Sequence, residues 1–227
     1  WLMPDLDHER RINAPVIGID EAGRGPWAGP VTVTALWLNP HGYGHLPDDI
    51  NDSKKLKPAR RASLAAFLQM PPQLYCTISK DVDVIDQWGV VQTTLMAMAE
   101  AARGVISQLQ EAGFTGPAYA LIDGPLLPKD MPCPSQPVVR GDNKSLSIAG
   151  ASIIAKHSRD TIMQELGADW PEYGWRQNNG YGTRQHRQAL AMHGVSPHHR
   201  CSFAPIRRLC EAAKCTNYGG WLVCLHS

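Results

Sequence analysis

The stretch PVIGIDEAGRGPWAGPV, residues 15–31, decides the fold. Its first half is apolar and closes on two acids, Asp20 and Glu21, before the chain breaks into a turn built from Gly23, Gly25 and Gly29. The next run, VTVTALWL at 31–38, is β-branched and alternating, as a strand requires. Two strands joined through a glycine-rich turn read as a hairpin. Adjacent strand residues point to opposite faces, so Asp20 and Glu21 can serve one ion only if the strand ends or bulges there, which the glycines permit. An acidic turn pair exposed to water would look the same in sequence.

Working outward, QLYCTIS at 73–79 and AYALID at 118–123 read as a third and a fourth strand, the latter closing on Asp123, and QPVVR at 136–140 as a short fifth. Residues 89–110 carry Val90, Val91, Leu95, Met98, Ala101, Ala102, Val105, Ile106 and Leu109 at helical spacing. Residues 145–165 predict a second helix with small residues on one face, weakened slightly by Gly150. Pro71 and Pro72, and the five prolines of 124–138, predict loops. The expected class is α/β: a mixed central β-sheet flanked by helices, with a helical C-terminal segment. The expected division is a catalytic domain over 1–182 and that segment over 183–227.

At 227 residues, 43% hydrophobic and 19% charged, the chain can bury a sizeable core. No apolar run reaches the roughly 18 residues of a membrane-spanning helix, and no basic segment leads an apolar one, so a soluble cytoplasmic protein is expected. Cys76, Cys133, Cys201, Cys210, Cys215 and Cys224 show no CxxC pair, which favours free thiols in a reducing compartment. Residues 1–137 hold 11 Lys/Arg against 15 Asp/Glu, whereas 138–227 hold 11 against 6. A basic C-terminal part beside an acidic N-terminal part suits a polyanion gripped by one while carboxylates of the other bind metal.

Asp123, in LIDG, repeats the pattern of an apolar run closing on an acid, and Asp142 follows VVRG, where it could equally be a helix-entry acid. Four acids placed at the ends of apolar runs suit a hard divalent ion, which takes several oxygen ligands. The chain has no GxSxG, GxxxxGK[ST] or HExxH. Gly23-Arg24-Gly25 offers backbone amides and carbonyls to a 2′-hydroxyl, the group that separates RNA from DNA, although a plain turn with a surface arginine would read alike. Tyr181, between Gly180 and Gly182, is placed to stack on a sugar or base, although a loop tyrosine tucked into the core would read alike. Lys54, Lys55, Lys57, Arg60 and Arg61 form a basic cluster fit for phosphates, although all but Lys54 read equally as a solvated charged face. Asp160 and Lys156 share a helical face and suit an ion pair, with a direct metal role for Asp160 left open, and His198 and His199 read as surface groups, a contact with phosphate being left open.

The segment Gly18-Ile19-Asp20-Glu21-Ala22-Gly23-Arg24-Gly25, continuing through Pro26-Trp27-Ala28-Gly29-Pro30-Val31, closely resembles the signature of the ribonuclease HII family. The resemblance runs on through Asp52-Ser53-Lys54-Lys55-Leu56, Ile122-Asp123-Gly124, Gly141-Asp142, Ala151 to Lys156, Ser158-Arg159-Asp160, Gly180 to Thr183 and His199 to Pro205, covering about residues 15–208 in order. It departs at Arg140, where lysine is usual, and at Gly150, where alanine is usual. It implies an RNase H-like fold and dependence on Mg²⁺ or Mn²⁺ through a two-metal-ion mechanism at Asp20, Glu21, Asp123 and Asp142. It also implies cleavage of RNA/DNA hybrids, or of duplex DNA with an embedded ribonucleotide, on the 5′ side of the ribose. A DNA nuclease or integrase on the same scaffold and a binding module without catalysis are the rivals; the Gly-Arg-Gly turn argues against the first and the four intact acids against the second. A monomer acting without a membrane is expected. The stretch after Arg208, with Trp221 and Cys224, gives no reading.

Overall fold

The computed structural model describes residues 3–212, 216–218 and 221–223. Among the described residues the strands are β1 (Val16–Ala22), β2 (Val31–Trp37), β3 (Leu74–Lys80), β4 (Tyr119–Asp123), β5 (Ser135–Val138), β6 (Thr216–Tyr218) and β7 (Trp221–Val223). The α-helices are α1 (Asp7–Arg10), α2 (Pro58–Leu68), α3 (Val82–Trp88), α4 (Val90–Glu111), α5 (Leu146–Asp169), α6 (Trp175–Asn178), α7 (Arg184–His193) and α8 (Ala204–Ala212). They divide between two compact units. One comprises residues up to 22, 32–79 and 94–158; the other comprises 23–31, 80–93 and 159 onward.

The first unit holds a five-stranded sheet in the order β3-β2-β1-β4-β5. β1 pairs antiparallel with β2, Asp20 opposite Thr34, and parallel with β4, Ile19 opposite Ile122. The expected hairpin is there, and the sheet is mixed as expected. β1 and β4 are central, which is why their runs are apolar on both sides. Ile17, Ile19, Val33, Ala35 and Trp37 pack on one face against Ala97, Met98, Ala101, Ala102 and Val105 of α4. On the other face Leu36 and Leu38 meet Leu64 and Leu68 of α2 and Ala149, Ile153 and Ile154 of α5. α5 lies so close to β1 that a Cβ at Gly18 would collide with the Ser147 backbone.

Several expectations shift. α5 passes through Gly150 without a break, and a Cβ there would meet Leu36 Cδ2 at 2.5 Å, so the glycine fits the packing rather than loosening the helix. Residues 135–138 lie within the expected proline loop yet form β5, displaced from 136–140. Pro137 is tolerated because β5 is an edge strand. The short helices α2 and α3 carried no strong periodicity and were not expected. The C-terminal segment is helical over α7 and α8 and then adds the β6-β7 pair. Cys215 and Cys224 lie outside the described residues; Cys76, Cys133, Cys201 and Cys210 are free thiols. Among the described residues no helix is long and apolar enough to cross a membrane.

Candidate active site

The four acids all belong to the first unit. β1 keeps its register with β2 to its last residue, Ala22, so Asp20 and Glu21 alternate without a bulge just before the strand ends. Asp20 is 5% exposed and its Oδ1 accepts from the Glu21 amide at 2.6 Å. Asp123 closes β4, one strand over, and its Oδ1 accepts from the Gly141 amide at 2.7 Å. That bond ties β4 to the 3-10 turn Gly141–Asn143, which carries Asp142. Asp142 is buried and its Oδ1 accepts from Asn143 Nδ2 at 2.7 Å, while Lys55 Nζ donates to Asn143 Oδ1.

The same turn is fastened from behind. Asp5 and Lys144 share a backbone hydrogen bond of 3.2 Å, and the buried Glu9 caps α5 by accepting from Ser145 Oγ at 2.6 Å and the Ser147 amide at 3.0 Å. A carboxylate at a helix N-terminus satisfies amides that have no partner within the helix. Arg140, preceding the turn, holds a left-handed backbone at φ 56°, an uncommon conformation for a residue with a side chain.

Charge is the distinctive property here. Burial pushes the Asp20 carboxyl well above its ordinary range, and Glu21, Asp123 and Asp142 push it further. Asp142 is raised by burial and also by Asp52 and Asp123. Burial pushes the Lys54 ammonium down, but Asp52, Asp20, Asp142 and Asp123 outweigh it and hold it above its usual value. The acids therefore sense one another across the sheet edge, as a cation site of oxygen donors would. They do not form a ready-made ligand set: among the described residues no three Asp, Glu, His or Cys side chains are grouped to hold an ion.

The expected basic cluster is partly consumed by the fold. Arg60 is paired with Asp49 at 2.5 and 2.6 Å, and Arg61 is buried, donating to the Ser53 and Leu56 carbonyls.

Gly23, Arg24, Gly25 and Tyr181 all belong to the second unit. Arg24 and Gly25 are exposed, and Tyr181 is 49% exposed. The Trp27 amide donates to the Gly180 carbonyl at 2.8 Å, which sets the first turn beside the tyrosine loop. The two glycines of the turn differ. Gly23 sits at φ +95°, and a Cβ there would collide with the Arg159 side chain. Gly25 has no such constraint: a Cβ would meet only Tyr181 Cε1, at an ordinary 3.5 Å.

Two groups that the sequence reading missed or misplaced hold these loops. Arg159 and Arg200 are wholly buried, and their guanidinium hydrogen bonds run to backbone carbonyls of 23–30 and 179. Arg159 falls in step with Ser152, Ala155 and Met163 on the buried stripe of α5, the one sequence signal that could have flagged it. His199, expected at the surface, is 1% exposed and lies 3.0 Å from His186, Nε2 to Nε2. His186 Nδ1 bonds the Tyr181 carbonyl at 3.0 Å, and Trp175 Nε1 donates to His186 Nε2 at 3.2 Å. His199 Nδ1 accepts from the Ser196 amide at 3.0 Å. Burial pulls His186 down and takes His199 down to about 3, so both rings are neutral near pH 7.

A family model described as Ribonuclease HII matches residues 17–206. The chain belongs to the ribonuclease HII family. A ribonuclease HII of Jannaschia sp. is 44% identical over 206 residues, covering 91% of this chain and 98% of that one. The ribonuclease H2 of Pyrococcus horikoshii OT3 superposes with a TM-score of 0.69 at 22% identity, over 87% of this chain and 97% of that one. Bst-RNase HIII in complex with Mn²⁺ gives a TM-score of 0.68 at 17% identity, over 88% and 70%. As a ribonuclease HII family member with the RNase H-like fold, the chain is a hydrolase of the ribonuclease H type, an endoribonuclease acting on RNA/DNA hybrids.

Proposed function

We propose that this ribonuclease is metal-dependent, and that it cuts both RNA/DNA hybrids and duplex DNA carrying embedded ribonucleotides on the 5′ side of the ribose, leaving 3′-hydroxyl and 5′-phosphate ends. The observation that carries the reading is Asp20. A buried carboxyl opposed by three neighbouring acids is a poor structural element and a good cation ligand. All-oxygen donors of high charge density fit Mg²⁺ or Mn²⁺, and the Mn²⁺ bound by a relative of the same fold points the same way.

In this reading Asp20, Glu21, Asp123 and Asp142 hold the ions, after Asp123 and Asp142 exchange part of their present hydrogen bonding for metal. Two bound ions supply an activated water and stabilise the leaving 3′-oxygen. Lys54, held protonated among the acids, offsets their repulsion and can meet a phosphate oxygen. The turn Gly23-Arg24-Gly25 receives the 2′-hydroxyl on its backbone, with Arg24 facing solvent for the phosphate chain. Tyr181 stacks on the sugar of the recognised nucleotide. The lack of any clash at Gly25, where a Cβ would make only an ordinary contact with Tyr181, supports this assignment, because the packing around it demands no glycine. Such an activity suits removal of ribonucleotides from DNA and of RNA primers in the cytoplasm, by a protein acting as a monomer.

The test is product mapping on an end-labelled DNA duplex with one ribonucleotide, with and without Mg²⁺ or Mn²⁺, beside an all-DNA control. A single cut 5′ to the ribose, seen only with metal, is expected. Cleavage 3′ to the ribose, cutting in chelator, or equal cutting of the control overturns the proposal.

A further inference from the structure

The second unit contains two buried cations that the proposed chemistry does not use. Arg200 is 0% exposed and Arg159 is 1% exposed, a costly placement for a charge unless its donors are met. Arg200 Nη2 donates to the Gly23 carbonyl at 2.6 Å, to Gly29 at 2.8 Å and to Pro30 at 3.0 Å. Its Nη1 donates to the Arg24 carbonyl at 3.0 Å and its Nε to Gly29 at 3.0 Å. Arg159 Nε donates to Pro30 at 2.9 Å, Nη2 to Ala28 at 3.2 Å, and Nη1 to the Asn179 carbonyl at 3.1 Å, two residues before Tyr181.

These bonds have a directional consequence. A trans peptide is planar, with its N–H pointing opposite to its C=O. The Gly23 carbonyl shares a peptide with the Arg24 amide, and the Arg24 carbonyl shares one with the Gly25 amide; the cis bond in the described chain is elsewhere, at Pro71-Pro72. By taking both carbonyls, Arg200 turns the amides of Arg24 and Gly25 away from the protein interior, toward the exposed side of the turn. Arg159 then ties that loop to the loop bearing Tyr181 through one fork. A guanidinium offers donors in a fixed plane, which an ammonium cannot reproduce.

We infer that Arg200 and Arg159 are positioning residues for ribose selection: Arg200 aims the amides of Arg24 and Gly25 at the 2′-hydroxyl, and Arg159 sets the spacing between that turn and Tyr181. This rests on the proposed reading that the turn receives the 2′-hydroxyl. Burial lowers Arg159 to about 10 and Arg200, with Arg159 beside it, to about 9, so both remain charged near neutrality and retain all their donors.

The experiment compares binding, with Ca²⁺ in place of the catalytic ion, of a DNA duplex carrying one ribonucleotide and of the same duplex with deoxyribose at that position. Wild type is expected to favour the ribonucleotide duplex tenfold or more. In Arg200→Lys the preference falls to within about twofold of none while affinity for the all-DNA duplex is retained, and Arg159→Lys shows a smaller loss of the same kind. A purely structural role would weaken both duplexes together and leave the ratio intact; that result, or an unchanged ratio at unchanged affinity, overturns the inference. Absence of any preference in wild type would instead overturn ribose reading by the turn itself. If neither lysine variant folds, the wild-type arginine side chains decide. Slow hydrogen exchange at the Arg200 Nη protons, with new protection of the Arg24 and Gly25 amides by the ribonucleotide duplex alone, is expected, and fast exchange or equal protection by both duplexes refutes it.

Discussion

The two units each bury a group of like charges, and they treat them in opposite ways. Around Asp20 the acids repel one another, and Asp20 and Asp142 are left raised, while Asp20, Asp123 and Asp142 each accept a hydrogen bond from a neighbouring donor. Around Gly23 the two guanidiniums are met by the carbonyls of five residues in the 23–30 stretch and one more at Asn179. In the proposed ion site the Asp20 carboxyl is opposed by its neighbours, whereas the two guanidiniums are supplied with acceptors.

The sharpest way to break this contrast is at the acids. Asp20→Asn and Asp123→Asn should each lower cleavage by three orders of magnitude or more, about 4 kcal/mol of barrier, while the protein melts no earlier than wild type in chelator. Near-normal single-turnover rates at saturating Mn²⁺ would show that the raised acid is incidental.

The next effect divides Gly23 from Gly25. Gly23→Ala should cost roughly 2 to 4 kcal/mol in urea melts, because φ +95° and the Arg159 side chain both exclude a Cβ. Gly25→Ala should stay within about 0.5 kcal/mol of wild type yet cleave a single embedded ribonucleotide at least tenfold more slowly. Equal behaviour of the two variants would erase the distinction between shape and contact.

Tyr181→Ala should remove stacking of about 1 to 3 kcal/mol, a loss of roughly 5- to 150-fold in kcat/KM, with metal affinity by calorimetry unchanged. The smallest effect concerns acidity. Asp20 and Asp142 are raised, so the folded state holds their protons more tightly than the unfolded chain. Their contribution to stability is full below the unfolded value near 3.8 and is lost as pH rises through the folded values. Metal-free protein should therefore lose thermal stability as pH rises from about 4, and Asp20→Asn should lessen that loss, as scanning calorimetry can record.

Much of the sheet was legible because β1, β2 and β4 are central and their apolar runs have no other use. The acids were legible for a related reason: a carboxylate closing a buried run has few places to go. What escaped was information that periodicity does not carry. The regular passage of β1 through Asp20 and Glu21 depends on pairing with Thr34 and Val33, residues distant in sequence. Arg200 and His199 look like surface groups because type alone predicts exposure, and only the carbonyls gathered around them reverse it. Arg60 and Arg61 looked like a phosphate patch until Asp49 and the Ser53 and Leu56 carbonyls claimed them.

The Ser196 amide can only give a proton and the Tyr181 carbonyl can only receive one. His199 must therefore be bare at Nδ1 and protonated at Nε2, passing its hydrogen bond to a bare His186 Nε2, whose Nδ1 proton then reaches Tyr181. The relay has a single polarity. Reversing either tautomer would set two lone pairs or two protons face to face inside the core. The loop bearing Tyr181 is thus latched by an arrangement of one polarity, and with burial holding both rings below their ordinary values the latch keeps that setting near neutrality.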